Sequence, residues 1–326
     1  MSPNLTDIIE DQLAGMDLKS LRSDTFDLGI NYRNGIKSGP SFIESERSAF
    51  VYMASRMTAT YQVCSRILNS VRDRHDISID SVLDVGAGTG SASWAAYEIF
   101  SPSSVRLIDS NENMILKGRE LMSCMPELDS ICTWDRQEIG SFRSPEKYDL
   151  VIESYVLNEL KEEYLDNALK SMYDASGKLM ILIEPGTSKG FEIIRKAKEI
   201  CNKRGWDVIA PCPTNDICPL GNEERCSFSL RIPRKAFLKY IKNGDAPFED
   251  EKYCYLIISK GSMPCIHRWP VILKHPAVKK GHIILNLCSG NRVYSKVLSK
   301  KDGDAYRTAR KSSAGDTLEP EIPGNE

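Results

Sequence analysis

Apolar positions recur at three-and-four spacing through "SAFVYMASRMTATYQVCSRILNSV", with no internal Gly or Pro. That pattern predicts an amphipathic helix and marks residues 1–78 as a helical segment. Beyond it, short apolar runs alternate with helical stretches. "SVLDVGAGTG" is an apolar run from Val82 to Val85 leading into a glycine-rich turn, and "SASWAAYEIF" is a helix that starts at the turn. "SVRLIDSN" predicts a second strand, "NMILKGRELM" a second helix, and "YDLVIESYVLNEL" a further strand and turn. "GKLMILIEPG" reads as a buried strand followed by the helix "GFEIIRKAKEICNKRG". Strands alternating with helices imply an α/β protein with a parallel sheet covered on both faces.

After Trp206 the rhythm breaks. A stretch rich in Pro, Gly and Asn has no period; "KYCYLIISKG" then predicts a strand, and "GHIILNLCSGNRVYSKVLSK" a strand, turn and strand. The final "SAGDTLEPEIPGNE" is small, acidic or proline and is expected to be disordered. The predicted organisation is a helical segment (1–78), a nucleotide-fold core (79–205, completed by 252–261), a cysteine-rich insertion (206–251), a basic extension (262–313) and a tail (314–326).

The glycine turn is the first candidate for chemistry. Gly86, Gly88 and Gly90 lie between a strand and a helix, where they permit a tight turn and let a ligand approach the backbone. Dinucleotide enzymes use a similar turn, so the glycines alone leave the cofactor open. Asp84 at the strand end favours S-adenosylmethionine over a nicotinamide, as does Asp109 ending the next strand about twenty residues on. A carboxylate at Asp109 can accept from both ribose hydroxyls. Glu153, in "IESYVLNEL", is placed either against the cofactor's amino group or in a structural salt bridge. Asn158 and Glu159 read as helix-capping residues, and no catalytic residue is named.

Ten cysteines change the picture further. The amino terminus lacks the basic-then-apolar layout of a secretion signal and carries Asp7, Glu10 and Asp11, which predicts a cytoplasmic protein with reduced thiols. No apolar run approaches the roughly 20 residues of a membrane span. Most cysteines then read as small core hydrophobes. Cys212, Cys218 and Cys226 stand apart in "APCPTNDICPLGNEERCSF", and Cys288 ends the strand "IILNLC". Four thiolates can hold zinc or an iron–sulfur cluster. The array has no tight pair of the kind zinc prefers, whereas the Cys-Pro steps resemble those of ferredoxins. Iron–sulfur, zinc and no metal all remain open on spacing, with His267 and His282 as substitute ligands.

"LMILIEPGTSKGFEIIRKAKE", "VIAPCPTNDICPL", "RCSF", "GHIILNLCS" and "DAYRTARKSSAGD" occur in one order, from the "RMTATY" helix to about Asp316. Together they resemble the ribosomal small-subunit assembly family of methyltransferase-like proteins. The resemblance implies a class I methyltransferase (Rossmann-like) fold with a mostly parallel seven-stranded sheet and a small basic β-rich extension. It also implies a cysteine-rich metal-binding insertion in which Cys212, Cys218, Cys226 and Cys288 hold a four-iron four-sulfur cluster. Asp84, Gly86, Gly88, Gly90, Asp109 and Glu153 become the S-adenosylmethionine contacts. The small ribosomal subunit and its rRNA become the partners of a monomer. Amino-methyltransferases carry a Pro-Pro run after the fourth strand that is missing here, so turnover is not implied. Mitochondrial members carry a presequence that this chain lacks, which points to a prokaryotic, cytoplasmic protein.

The net charge of −2 hides an uneven distribution: from Arg268 to Lys311 eleven Lys and Arg face only Asp302 and Asp304. Such a segment suits a polyanion. Lys279, Lys280, Arg292, Lys296, Lys300, Lys301, Arg307, Arg310 and Lys311 are the candidate phosphate contacts, with Tyr294 and Tyr306 interleaved for stacking. The reading is an assembly or translation factor. Its rivals are an active methyltransferase on a protein or small molecule with a structural zinc, and a binding protein without turnover.

Overall fold

Short polar side chains start the amino-terminal helices. Asn4 opens α1 (Leu5–Leu13) by accepting the Asp7 N–H at 3.1 Å. After α2 (Leu18–Asn34), Ser45 opens α3 (Glu46–Tyr52) with a reciprocal box to Ser48. What the periodicity predicts as one helix is α3 and α4 (Thr58–Arg72) joined through a π-helical turn at Met53–Met57. Such turns are frequent at functional sites. The structure is a computed structural model that describes residues 4–34, 43–221, 224–260 and 269–318.

The alternation follows as β1 (Ser81–Val85), α5 (Ser91–Phe100), β2 (Ser104–Asp109), α6 (Glu112–Met122), α7 (Pro126–Asp129), β3 (Cys132–Arg136), β4 (Tyr148–Ser154) and α8 (Glu162–Ala175). Next come β5 (Ser176–Pro185), α9 (Ser188–Lys203), β6 (Asp207–Ala210), β7 (Phe228–Pro233), α10 (Ala236–Ile241) and β8 (Phe248–Ser259). The chain closes with β9 (Val271–Ile272), β10 (Ala277–Lys279), β11 (His282–Ser289), β12 (Arg292–Ser299) and α11 (Gly303–Lys311).

Two compact units emerge. The first comprises Met1–Gly177 and Leu230–Glu251. In it β3, β2, β1 and β4 lie side by side, all parallel. Val82, Leu83 and Val85 on β1 are at most 1% exposed, because β1 is flanked by β2 and β4 and covered by helices. Charge ties the segment 230–251 to the amino-terminal helices of this unit: Arg56 forks onto Glu251 at 2.9 and 3.2 Å, and Lys235 reaches Glu10 at 3.1 Å. Within the segment, Arg234 and Lys242 share Glu249 at 3.2 and 2.7 Å.

The second unit comprises Lys178–Ser229 and Lys252–Glu326. Here β8 runs antiparallel to both β5 and β6. A smaller antiparallel sheet has the order β10-β11-β12, with β9 also on β11. Its inner face is apolar: Ile272, Ile283, Leu285, Leu287 and Leu298 pack with Tyr306 and Ala309 of α11. Thr317 bridges Val271, and the Leu318 N–H donates to Pro270, so residues just past α11 are tied to β9. The chain has a class I, Rossmann-like methyltransferase-type α/β fold, with a mixed, mostly parallel sheet and amino-terminal helices.

Candidate functional site

The turn after β1 is built from backbone that L side chains avoid. Gly86, Gly88 and Gly90 have φ of 72°, 56° and 86°. At Gly86 the space is also filled, since a Cβ there would fall 2.5 Å from Val156 Cγ1. The N–H groups of Gly86 and Ala87 both donate to the Ile108 carbonyl at the end of β2, at 2.8 and 3.0 Å. Asp109, next along, closes the joint. Its carboxylate accepts the Gly88 N–H and the Asn111 N–H, each at 2.8 Å. Burial pushes the Asp109 carboxyl above its ordinary range, against those N–H groups, which pull it down. The Ser110 N–H acts on the same carboxylate, so of its four lone pairs one is left to accept from a ligand's hydroxyl.

Asp84 and Glu153 occupy different positions from Asp109. Asp84 is fully buried, and its Oδ2 accepts the Ser93 N–H (3.1 Å) and the Ser93 hydroxyl (2.7 Å), pinning α5 to β1. Burial pushes its carboxyl up to about 7. Glu153, also fully buried, turns Oε1 onto the N–H groups of Val156 and Leu157 at 2.8 and 3.2 Å. It therefore holds the loop after β4 over the glycine turn. Tyr155 in that loop has a φ of 65°, and Asn158 Nδ2 donates to the Tyr155 carbonyl at 3.0 Å. A non-glycine residue held there is a form of strain that clusters at functional sites.

Sequence reasoning misses the contribution of α3. Burial raises the Tyr52 hydroxyl to about 12, with Glu159 and Asp109 among the charges that act on it. Tyr52 lies 57 positions before Asp109, and nothing local in "SAFVYMAS" singles it out from the other apolar positions of its helix.

The second unit brings its cysteines together. Cys212, Cys218, Cys226 and Cys288 line one cavity, with Phe191, Lys198 and Leu273 among its other walls. Burial drives the Cys226 thiol well above its ordinary value, reinforced by Cys212, Cys218 and Cys288, and raises Cys288 to about 11. The open room is about 30 Å³, which suits one or two waters. Among the described residues, no group of three or more His, Cys, Asp or Glu is arranged to hold a metal ion. The four-iron four-sulfur cluster, the zinc alternative and the metal-binding insertion expected from the sequence are corrected on that ground. His267 lies outside the described residues, and His282 begins β11, paired with Ser299.

The basic candidates Lys279, Lys280, Arg292, Lys296, Lys300, Lys301, Arg307, Arg310 and Lys311 are all exposed. Arg307 is paired with Asp304 at 2.7 Å, both well solvated. Tyr306 is 8% exposed and belongs to the core under α11, so it does not offer its ring to a base. Tyr294 is half-buried against the same core, with the Arg292 guanidinium 5.1 Å from its ring centroid.

A family model described as Rsm22, mitochondrial small ribosomal subunit Rsm22, matches residues 46–319. The chain belongs to the Rsm22 family. The human ribosome assembly protein METTL17, mitochondrial, is 27% identical over 332 residues, covering 95% of this chain and 68% of that protein. The Rsm22-cox11 tandem protein 2, mitochondrial, of Schizosaccharomyces pombe is 29% identical, covering 77% of this chain and 39% of its own length. These Rsm22 relatives, and the mitochondrial RSM22 of Saccharomyces cerevisiae, overturn the expectation of a cytoplasmic protein. Among solved structures, the magnesium protoporphyrin IX methyltransferase of Synechocystis aligns with 76% of this chain and 99% of its own, at 16% identity and a TM-score of 0.42. TehB of Haemophilus influenzae aligns with 65% of this chain and 66% of its own, at 15% identity and a TM-score of 0.42. Among the described residues, no helix is long and apolar enough to cross a membrane.

Proposed function

We propose that this chain is a ribosome-assembly protein that binds S-adenosylmethionine on its glycine turn and meets small-subunit rRNA through its basic carboxy-terminal segment. The observation that carries the first part is the joint between the Gly88 N–H and Asp109, 2.8 Å long, in a turn whose three glycines all have positive φ. The tight left-handed turn through Gly86, Gly88 and Gly90 suits the methionine end of the cofactor, and Asp109 suits its ribose. Asp84 and Glu153 support the cradle from beneath, through Ser93 and the loop at Val156. S-adenosylmethionine, when bound, supplies an electrophilic methyl group; no catalytic residue is assigned. Kinship with ribosome assembly proteins supports the second part, together with nine exposed cations in the carboxy-terminal segment.

Isothermal titration with S-adenosylmethionine and S-adenosylhomocysteine tests the cofactor. One hydrogen bond to a charged acceptor is worth roughly 1.5–3 kcal/mol, so Asp109→Ala should weaken binding at least about tenfold. No heat from the wild type, or equal affinity in the variant, would remove this reading. Co-sedimentation with purified small ribosomal subunits tests the partner, and recovery of the protein only in the supernatant argues against it.

A further inference from the structure

Among the described residues, β12, the longer edge strand of the small sheet, has an open side. The Leu273 N–H donates to the Asn286 carbonyl at 2.8 Å. In an antiparallel ladder a residue's N–H and C=O point the same way, so Asn286 turns its polar backbone toward β9 and away from β12. Asn286 and Ser295 are register partners and therefore form a non-hydrogen-bonded pair. By alternation, Val293, Ser295 and Val297 direct their N–H and C=O groups outward. No described strand pairs with β12 on that side. Ser299, next in the alternation, has its N–H taken by Asp302 Oδ2 at 2.6 Å, which caps that end of the edge.

The side chains of these three residues share one face. Val293 is 37% and Val297 60% exposed, and the Ser295 hydroxyl donates to Asn286 Oδ1 at 3.1 Å. Exposed valines beside an unpaired ladder form a template for another strand. Arg292 and Lys296 project on the opposite face, and Lys300 and Lys301 follow. We propose that the open side of β12 takes up an extended, acidic segment of a protein partner as an added strand. Residues opposite Val293, Ser295 and Val297 would be apolar, and those opposite Arg292 and Lys296 acidic. A second copy of this chain is disfavoured, because edge-to-edge pairing sets the two sets of cations against each other. RNA matches the charge, but it has no ladder to offer six backbone groups, and among the described residues of β11 and β12 the valine face carries one ring, the His282 imidazole opposite Ser299 at the capped end of the edge.

Ser295→Pro removes one outward N–H and the exposed hydroxyl bond to Asn286 while leaving the backbone ladder between β11 and β12 intact, and edge strands tolerate proline there. The test is amide hydrogen exchange of the full chain with an octapeptide of alternating Glu and Val. A Lys–Val octapeptide and octauridylate serve as competing probes. The Glu–Val peptide should slow exchange within 292–299 by at least about tenfold. Ser295→Pro should abolish the effect at unchanged melting temperature, and Lys296→Glu should shift the preference toward the Lys–Val peptide. The proposal is overturned by no protection at millimolar peptide, by equal protection in Ser295→Pro, or by protection from octauridylate alone. Should Ser295→Pro unfold, the wild-type protection map and the Lys296→Glu preference decide. None of these readouts depends on ribosome or cofactor binding.

Discussion

The substitution Asp84→Asn isolates the cost of a buried charge. The Asp84 carboxylate is fully buried, with only Oδ2 hydrogen-bonded, to the two Ser93 donors; Oδ1 has no hydrogen-bond partner among the described residues. Burial raises its carboxyl from 3.8 to about 7, and the nearby Asp109 and Glu153 add to the rise. Because the folded protein holds this proton more tightly than the unfolded chain, the contribution to stability is full below 3.8. It is lost as pH rises through about 7. At 1.36 kcal/mol per unit, the loss between pH 5 and 8.5 comes to roughly 2–3 kcal/mol. In the Asp84→Asn variant the amide oxygen accepts from Ser93 and the side chain does not titrate. Its unpaired amide nitrogen costs about 1–3 kcal/mol, but equally at every pH. Urea unfolding of both proteins at pH 5 and pH 8.5 gives the double difference. The variant should gain on the wild type by roughly 2–3 kcal/mol at the higher pH. Parallel pH profiles, or a relative gain for the wild type at high pH, would refute the account of Asp84 as a carboxyl strained by burial.

Two further outcomes concern the second unit. Tyr306→Ala should destabilise it by about 3 kcal/mol, since a large ring leaves the cluster of Ile283, Leu285 and Leu287. Proteolysis of β11 and β12 should rise in step, and resistance equal to wild type would place the ring outside the core. Neutralising Lys300, Lys301, Arg307 and Arg310 together should weaken rRNA binding and flatten its salt slope by up to about 3. Filter binding at several salt concentrations reads both, and an unchanged slope would remove these residues from the interface.

What the sequence displays well is whatever depends on neighbours along the chain. The run Val82–Val85, the glycines after it and Asp109 ending β2 are local patterns, and all sit at the ends of parallel strands. β3 escapes because "CTWDR" has one buried residue, Trp134, and no clean alternation. The π-helical turn at Met53–Met57 escapes because 3.6-residue periodicity carries across it. The antiparallel course of β8 cannot be read from a buried run, which looks the same in either direction. The roles of Asp84 and Glu153 are also hidden, since an acid at a strand end reads alike whether it faces a ligand or turns back onto Ser93 or the Val156 N–H.

The cysteines mark the same boundary from the other side. Spacing can bring residues 212, 218, 226 and 288 to one place, and the structure does line one cavity with all four. Chemistry needs more than proximity. A metal requires donors converging in fixed geometry, and among the described residues no group of three or more His, Cys, Asp or Glu converges in that way. Edge backbone shows the opposite case. Nothing in the letters Val293, Ser295 and Val297 indicates which way their N–H groups point, yet one bond from Leu273 to Asn286 settles it through the register. Side-chain identity thus marks a candidate site only when a pattern of neighbours already dictates orientation, as in the glycine turn. Where tertiary pairing sets the orientation, as on β12, the candidate surface becomes visible only with the fold.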